Sequence, residues 1–334
     1  MAAQRTVRLG ATGPEVFPLG LGCMGMSGMY GAADEAESVR TIHAALDRGV
    51  TLLDTGDFYG MGHNELLVGR ALREAGRRER VQLSVKFGAL RSPDGGWGGY
   101  DARPAAVKNF CAYSLKRLGV DVIDIYRPAR LDAAVPIEDT VGAIADLVKA
   151  GYVRHIGLSE VGAETVRRAA RVHPIVDLQI EYSLATRGPE ADIFPCLREL
   201  GMSATLYGVL SRGLLTGSKP QAKGDFRAFL PRFSGEAGAR NQQLVERLAR
   251  FAGERGMTSG QLAIAYVLAR QPGFVPVVGA RKVAQLEDAL GALERPLSPE
   301  DVAALERLGA LEGSRYGAQQ MRDLDSERGG GARP

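Results

Sequence analysis

"LKRLGVDVIDIYRPARLD", residues 115–132, carries one full period of the pattern that runs through this chain. Lys116 and Arg117 fall at the end of an amphipathic stretch, where cations offset the partial negative charge of helix-end carbonyls, and Gly119 suits the left-handed residue that ends a helix. Val122, Ile123, Ile125 and Tyr126 then read as a strand apolar enough to be covered on both faces. The run breaks into Arg127, Pro128, Ala129 and Arg130. Helix, glycine, buried strand and polar exit, in that order, are what a parallel sheet with crossover helices requires.

The same order recurs on both sides. "LDRGV", "LVKAGYV" and "LRELGMS" each end a helical stretch on a basic residue or a glycine before the next strand. Strands are expected at Leu19–Gly22, Thr51–Asp54, Val81–Lys86, Val122–Tyr126, Val153–Leu158, Ile175–Gln179, Met202–Tyr207 and Phe274–Val278. Apolar spacing near 3.6 residues predicts helices over Glu35–Arg48, Asn64–Ala75, Pro104–Leu118, Ile137–Ala150 and Ala163–Val172. It predicts four more over Asp192–Leu200, Arg240–Arg255, Gln261–Arg270 and Val283–Leu290.

Eight such repeats imply an α/β protein, a (β/α)8 TIM barrel, preceded by an N-terminal β-hairpin in which TVRL and VFPLGLG flank the turn GATGPE. A doubly wound open sheet is the alternative, weakened because "GLGCMGMSG" has the wrong spacing for a GxGxxG turn. One domain over residues 1–322 is expected, with 323–334 as a disordered tail. "RSPDGGWGGYDAR" and "SKPQAKGDFRAFLPRFSGEAG" read as long loops after the third and seventh strands, at the C-terminal face of the barrel, where ligands bind.

Composition narrows the function classes. The 334 residues carry 42 Lys+Arg against 39 Asp+Glu, interspersed, for a net charge of +3. That is too weak and diffuse a field to make nucleic acid the main ligand. Cys23, Cys111 and Cys196 lie far apart, which argues for free thiols and against a disulfide framework or a metal site. No apolar run approaches the roughly 20 residues of a membrane span, and no signal core opens the chain, so a cytoplasmic location is expected. The sequence is equally compatible with a monomer and a homo-oligomer.

If the barrel is right, functional groups belong where strands end. The second strand ends in Asp54, with Tyr59 a few residues on, and the third ends in Lys86. An aspartate and a lysine buried on neighbouring strands must pair, since neither is tolerated alone. A tyrosine, with an ordinary pKa of about 10, becomes a useful acid if a nearby ammonium favours its phenolate. On spacing alone, a structural ion pair beside an unrelated tyrosine fits equally well.

"LGLGCMGMSGMYG", "LLDTGDFYGMGHNELLVGRAL", "SVKFG", "LKRLGVDVIDIY", "VRHIGLSE", "LQIEYSL" and "SRGLLTG" together resemble the aldo-keto reductase family, in order from about Leu19 to Leu290. The resemblance implies a (β/α)8 barrel that uses a nicotinamide dinucleotide without a Rossmann domain to reduce small-molecule aldehydes and ketones. It is strongest to the bacterial and plant branch. It puts Asp54, Tyr59 and Lys86 at three of four catalytic positions. It places Ser159 and Gln179 on the nicotinamide carboxamide, Tyr207 against the ring, and Cys23, Met24, Gly208, Leu210, Arg212 and Gly279 along the cofactor. Arg281 with Lys282 would meet a 2′-phosphate, and Gln285 and Asp288 the adenosine end, so NADPH is expected over NADH. Ala289, in place of a common asparagine, would loosen adenine binding.

The departures bear on substrate. The resemblance has a histidine at the fourth catalytic position, and Ala129 stands there instead. Glu160 replaces a frequent asparagine, and Gly208 and Val209 replace a serine and a proline. Three readings of Ala129 follow. The protein is a reductase with a relaxed oxygen site; or a reductase in which Arg127 or Arg130 replaces the missing donor or holds an anionic substrate group; or an NADPH-binding regulatory protein with little turnover. Trp97, Arg127 and Ala129 are the expected substrate contacts; the alternative for Arg127 and Arg130 is pairing with acids such as Asp132 at the barrel rim. His63 is expected to cap the following helix, and Phe226, Phe229 and Phe233 to cover the site or anchor their loop.

Overall fold

Leu9 and Val16, from a short antiparallel hairpin of β1 (Val7–Arg8) and β2 (Glu15–Val16), pack with Leu52, Ile125, Val176, Val275 and Val277 into a dry floor. The floor closes one end of a barrel of eight parallel strands. The structure, a computed structural model, describes residues 6–220 and 225–328.

The barrel strands are β3 (Gly20–Gly22), β4 (Leu52–Gly56), β5 (Gln82–Phe87), β8 (Ile123–Pro128), β9 (Val153–Ser159), β10 (Ile175–Glu181), β11 (Ser203–Tyr207) and β12 (Val275–Gly279). They follow one another around the barrel in chain order and close β12 onto β3. All eight expected strands are present, and six of them run one or two residues further toward the C-terminal end than their apolar cores suggest. That extension makes Arg127 and Ser159 strand residues.

The outward faces of these strands, among them Leu53, Leu83, Val85, Tyr126 and Leu158, form one core with the surrounding helices. These helices are α1 (Glu35–Asp47), α2 (His63–Ala75), α3 (Pro104–Leu118), α4 (Ile137–Lys149), α5 (Ala163–Ala170), α6 (Ile193–Glu199), α7 (Gly235–Gly253), α8 (Ser259–Arg270) and α9 (Val283–Gly291). Local chemistry starts several of them. The Asp34 carboxylate accepts from the Glu37 amide at 2.7 Å at the head of α1, and Thr258 with Gln261 forms a reciprocal capping box on α8.

Three parts differ from the sequence reading. The Gly-rich stretch after β5 is an antiparallel arm, β6 (Ala89–Arg91) with β7 (Trp97–Tyr100), not an irregular loop. Two helices absent from the periodicity reading, α10 (Pro299–Arg307) and α11 (Ala318–Asp323), follow α9. The boundary drawn at 323 falls inside a packed segment: Leu324 is buried with Leu230 and Tyr316, and Asp325 accepts from the Gly162 amide at 2.9 Å. Residues 329–334 of the expected tail lie outside the described residues. Among the described residues, no helix is long and apolar enough to cross a membrane.

Candidate active site

Above the apolar floor the barrel interior turns polar in two layers. The lower layer is an ion pair. Arg127 is wholly buried, its Nη1 donating to Asp177 Oδ2 at 2.9 Å, to the Leu158 carbonyl at 3.2 Å and to Thr205 Oγ1 at 3.5 Å. Its Nη2 donates to Ser84 Oγ at 3.1 Å. Gly157 makes the room, because a methyl group there would sit 2.9 Å from Arg127 Cζ and from Asp177 Oδ1. The expected substrate contact through Arg127 is therefore corrected. Alternation along β8 points this side chain into the closed barrel, where it meets Asp177 and no solvent. Nor is Asp132 its partner: that carboxylate accepts from the Ala102 and Ala134 amides.

The upper layer is the expected cluster. β4 and β5 place Asp54 beside Lys86, whose ammonium donates to Asp54 Oδ1 and, at 2.8 Å, to Gln179 Oε1. Gln179 Nε2 returns a bond to Asp54 Oδ2 at 2.8 Å, and Ser84 Oγ donates to the same oxygen at 2.8 Å. Ser84 thus joins the two layers. Both ends of the Gln179 amide are engaged by the ion pair, an arrangement that the carboxamide role expected for it does not include.

Tyr59 closes this cluster from above, 5% exposed, with the Lys86 ammonium 5.3 Å from its ring centroid. Burial, reinforced by Asp54, holds its phenol well above the ordinary value, while Arg130 acts in the opposite direction. The downward shift expected from Lys86 is not the net result, because desolvation of the phenolate dominates. Burial likewise lowers the Lys86 pKa against the pull of Asp54. Phe58 packs edge-on against Tyr59 at 4.7 Å and against Trp97 at 5.9 Å. Trp97 is 58% exposed and carries the Arg91 guanidinium 4.3 Å above its ring, so the arm sets it one ring away from Tyr59, with Phe58 between them.

Along the expected cofactor track, Ser159 stands beside Gln179 in the β9–β10 register, buried, with a hydroxyl that has no hydrogen-bond partner. An orphaned buried hydroxyl at this place fits a carboxamide. Tyr207 ends β11 and its hydroxyl donates to Glu160 Oε1 at 2.8 Å, which fixes its ring. Gly279 is open, since a methyl group would meet only the Gly22 carbonyl at 3.8 Å. Arg281 donates to the carbonyls of Tyr30 at 3.2 Å and Ala32 at 3.4 Å, and its amide to Gln285 Oε1 at 2.9 Å. Its guanidinium is therefore held by neutral groups, fit to meet an anion.

Other expected contacts are placed differently. Cys23 is sealed in the strand–helix core, so its thiol lines no cofactor surface, while Met24, next along, is half-buried. Arg212 donates to Glu181 Oε2 at 3.0 Å and to the Arg315 carbonyl at 3.3 Å. Gly208 has φ +68°, and a methyl group there would meet Glu181 Cγ at 2.9 Å. Leu210 packs on the core, and the Asp288 carboxylate accepts from the Thr258 hydroxyl. His63 bonds Ser27 Oγ at 3.0 Å rather than capping α2. Phe229 is exposed, Phe233 packs with Leu230 and Tyr316, and Phe226 lies outside the described side chains.

The sequence reading missed the C-terminal segment. Arg315 donates to Glu160 through Nη1 at 2.9 Å and Nη2 at 2.5 Å and bridges to Glu327 at 2.9 Å, and Ser326 also donates to Glu160, at 3.0 Å. Burial alone would raise the Glu160 pKa, but Arg315 outweighs it and holds the carboxyl well below its usual range. An Arg-Tyr pair in the glycine-bounded "GSRYG" was the one available signal.

Asp57 gives the site region a pH dependence. Burial pushes its carboxyl up to about 7, although the Gly88 amide donates to it at 3.2 Å. The folded-state pKa exceeds the unfolded value of about 3.9, so the folded form binds the proton more tightly. Stability from this group is full below about pH 4, falls as pH rises toward 7, and is flat above. The slope is at most about 1.4 kcal/mol per pH unit. Asp57→Asn should flatten the decline in urea stability between pH 4.5 and 8; an unchanged profile would exclude Asp57 as its source.

Residues 18–310 match the Aldo/keto reductase family. The glycerol dehydrogenase AKR11B4 from Gluconobacter oxydans superposes with a TM-score of 0.83 at 30% identity, over 92% of this chain and 95% of that one. The aldo-keto reductase AKR11C1 from Bacillus halodurans, in its holo form, gives 0.76 at 29% identity over 93% and 98% of the two chains. A thermostable aldo-keto reductase in complex with the inhibitor epalrestat gives 0.73 at 27% identity, over 91% of this chain and all of that one. Among the described residues, no group of three or more His, Cys, Asp or Glu is arranged to hold a metal ion.

Proposed function

Because this chain belongs to the Aldo/keto reductase family, and so to the oxidoreductases of carbonyl and alcohol groups, we propose that it reduces an aldehyde or ketone with NADPH and that Tyr59 supplies the proton. The observation that carries this reading is the closed Asp54–Lys86–Gln179 cluster lying under the ring of a buried tyrosine at the C-terminal end of the barrel.

A bound nicotinamide dinucleotide supplies the hydride in one direction and accepts it in the other. The chain's own groups handle position and proton. Burial keeps Tyr59 protonated near neutral pH, which is the form a general acid needs. As its proton leaves, the Lys86 ammonium stabilises the phenolate, and Asp54 keeps that ammonium charged and in place. Ser159 Oγ offers the unpaired polar atom for the carboxamide, and Tyr207 offers a flat ring fixed by Glu160.

Preference for NADPH rests on Arg281, which has no carboxylate within ion-pair distance among the described residues and presents a planar donor set to a 2′-phosphate. Steady-state assays with a panel of aldehydes and ketones test the reading. Arg281→Ala should raise KM for NADPH by about 10- to 100-fold and leave KM for NADH within a few-fold. An equal rise for both cofactors would remove the phosphate role. An NADPH-binding regulatory protein is the second reading, and Ala129 at the position of the family histidine is its support.

A further inference from the structure

Four buried or half-buried arginines reach the barrel mouth from the C-terminal side, and three of them are neutralised. Arg212 pairs with Glu181 at 3.0 Å, Arg232 with Glu181 at 3.5 Å and Arg315 with Glu160 at 2.5 Å. Arg130 is different. Its Nη1 donates to its neighbour's carbonyl, Ala129 O, at 2.7 Å, and its Nη2 lies 3.5 Å from the Tyr316 hydroxyl, a weak contact. Its Nε is buried and donates to nothing. No carboxylate among the described residues lies within ion-pair distance of it, and Glu160, whose charge it feels, is bonded to Arg315.

An arginine donor buried without an acceptor is unfavourable, and a guanidinium neutralised only by a carbonyl and a phenol is a cation still lacking its counter-ion. Its place is specific. The side chain folds back onto the Ala129 carbonyl, and its charge acts on both Tyr59 and Lys86.

We infer that Arg130 is a specificity-determining residue that receives an oxyanionic substituent of the substrate, so that the preferred substrates are carbonyl compounds carrying a carboxylate or phosphate group near the reacting carbon. This inference rests on the reductase reading of the same site. A carboxylate accepting from Nε and one Nη would satisfy the orphaned donor in the planar, two-point geometry that arginine favours. The same contact would anchor the charged end of the molecule while Tyr59 faces the carbonyl oxygen. A neutral carbonyl compound of equal length would leave the guanidinium as it is and lose that anchor. Reduction at the carbonyl is unaltered by the contact, because arginine releases no proton.

The test is kinetic, with two substrates of matched length, butanal and succinic semialdehyde, on the NADPH-loaded wild type, Arg130→Met and Arg130→Lys. The wild type is expected to prefer the carboxylated aldehyde. Arg130→Met should raise its KM by about 10- to 100-fold while moving kcat, and both constants for butanal, by no more than a few-fold. Arg130→Lys should recover part of the loss, which a merely structural arginine would not require. A wild type that turns over both aldehydes without preference would overturn the inference and leave the reductase reading intact. Equal losses on both aldehydes in Arg130→Met would also overturn it, because the arginine would then serve the reacting oxygen or the fold. Butyrate binding to the NADPH complex, measured by calorimetry, separates the two claims. Binding lost in Arg130→Met with neither aldehyde turned over would keep the anion site and sink the reductase reading, and binding indifferent to Arg130 would overturn the anion site. Inorganic phosphate in the same titration distinguishes a phosphate site from a carboxylate site.

Discussion

Tyr59→Phe should lower carbonyl reduction by about 10²- to 10⁴-fold while NADPH binding stays within a few-fold of wild type, because only the proton donor is removed. The phenol lies over the Lys86 ammonium and can give up a proton, which an arginine cannot and Ala129 cannot. Phenylalanine keeps the ring that packs edge-on against Phe58, so the fold and the mouth are preserved. The measurement pairs steady-state turnover with a fluorescence titration of NADPH. Retained turnover would move the proton to another group; lost binding would mean that the ring, and not its hydroxyl, serves the site.

Arg127→Met should destabilise the protein by about 3–5 kcal/mol, a large part of the 5–15 kcal/mol typical of a whole domain. The substitution leaves Asp177 fully buried inside the barrel with Thr205 as its remaining side-chain donor. Replacing both partners, Arg127→Met with Asp177→Leu, should recover most of the loss, because paired removal leaves no uncompensated charge. Urea unfolding of the three proteins measures this. A double variant as unstable as the single would show that the pair is held by more than its two charges. The pair also supports chemistry: Arg127 donates to Ser84, and Ser84 donates to Asp54. The double variant is therefore expected to fold well and turn over slowly, as the Asp54 carboxylate loses the fixed geometry of one hydrogen bond.

The barrel was legible because its signal is local and repeated. Each barrel strand has an apolar core, and the helices α1 to α9 repeat near 3.6 residues. Asp54, Tyr59 and Lys86 were legible for a related reason: charged or phenolic side chains at the ends of adjacent apolar runs stand out, and the register then brings Gly56 opposite Lys86 and Asp54 opposite Ser84. Arg127 was misplaced because the apolar run stops at Tyr126 while the strand continues to Pro128. Its partner Asp177 is 50 positions away, and only barrel closure and the bare face of Gly157 bring the two together. The arm of β6 and β7 was hidden by glycines, which carry no period. The C-terminal segment was hidden by distance, since Arg315 and Glu160 are 155 positions apart. Turns and long-range ion pairs depend on the assembled barrel, and no window of sequence contains both partners.

The most direct test of the account follows a label. NADPH carrying deuterium at the transferable position of the nicotinamide is incubated with the wild-type protein and an aldehyde from the reactive panel, and the product is read by mass spectrometry and NMR. The expected result is one deuterium on the alcohol carbon, formed at a rate that falls with Tyr59→Phe. Tight NADPH binding with no deuterium reaching any carbonyl compound, charged or neutral, would contradict it and leave a dinucleotide-binding regulator in its place.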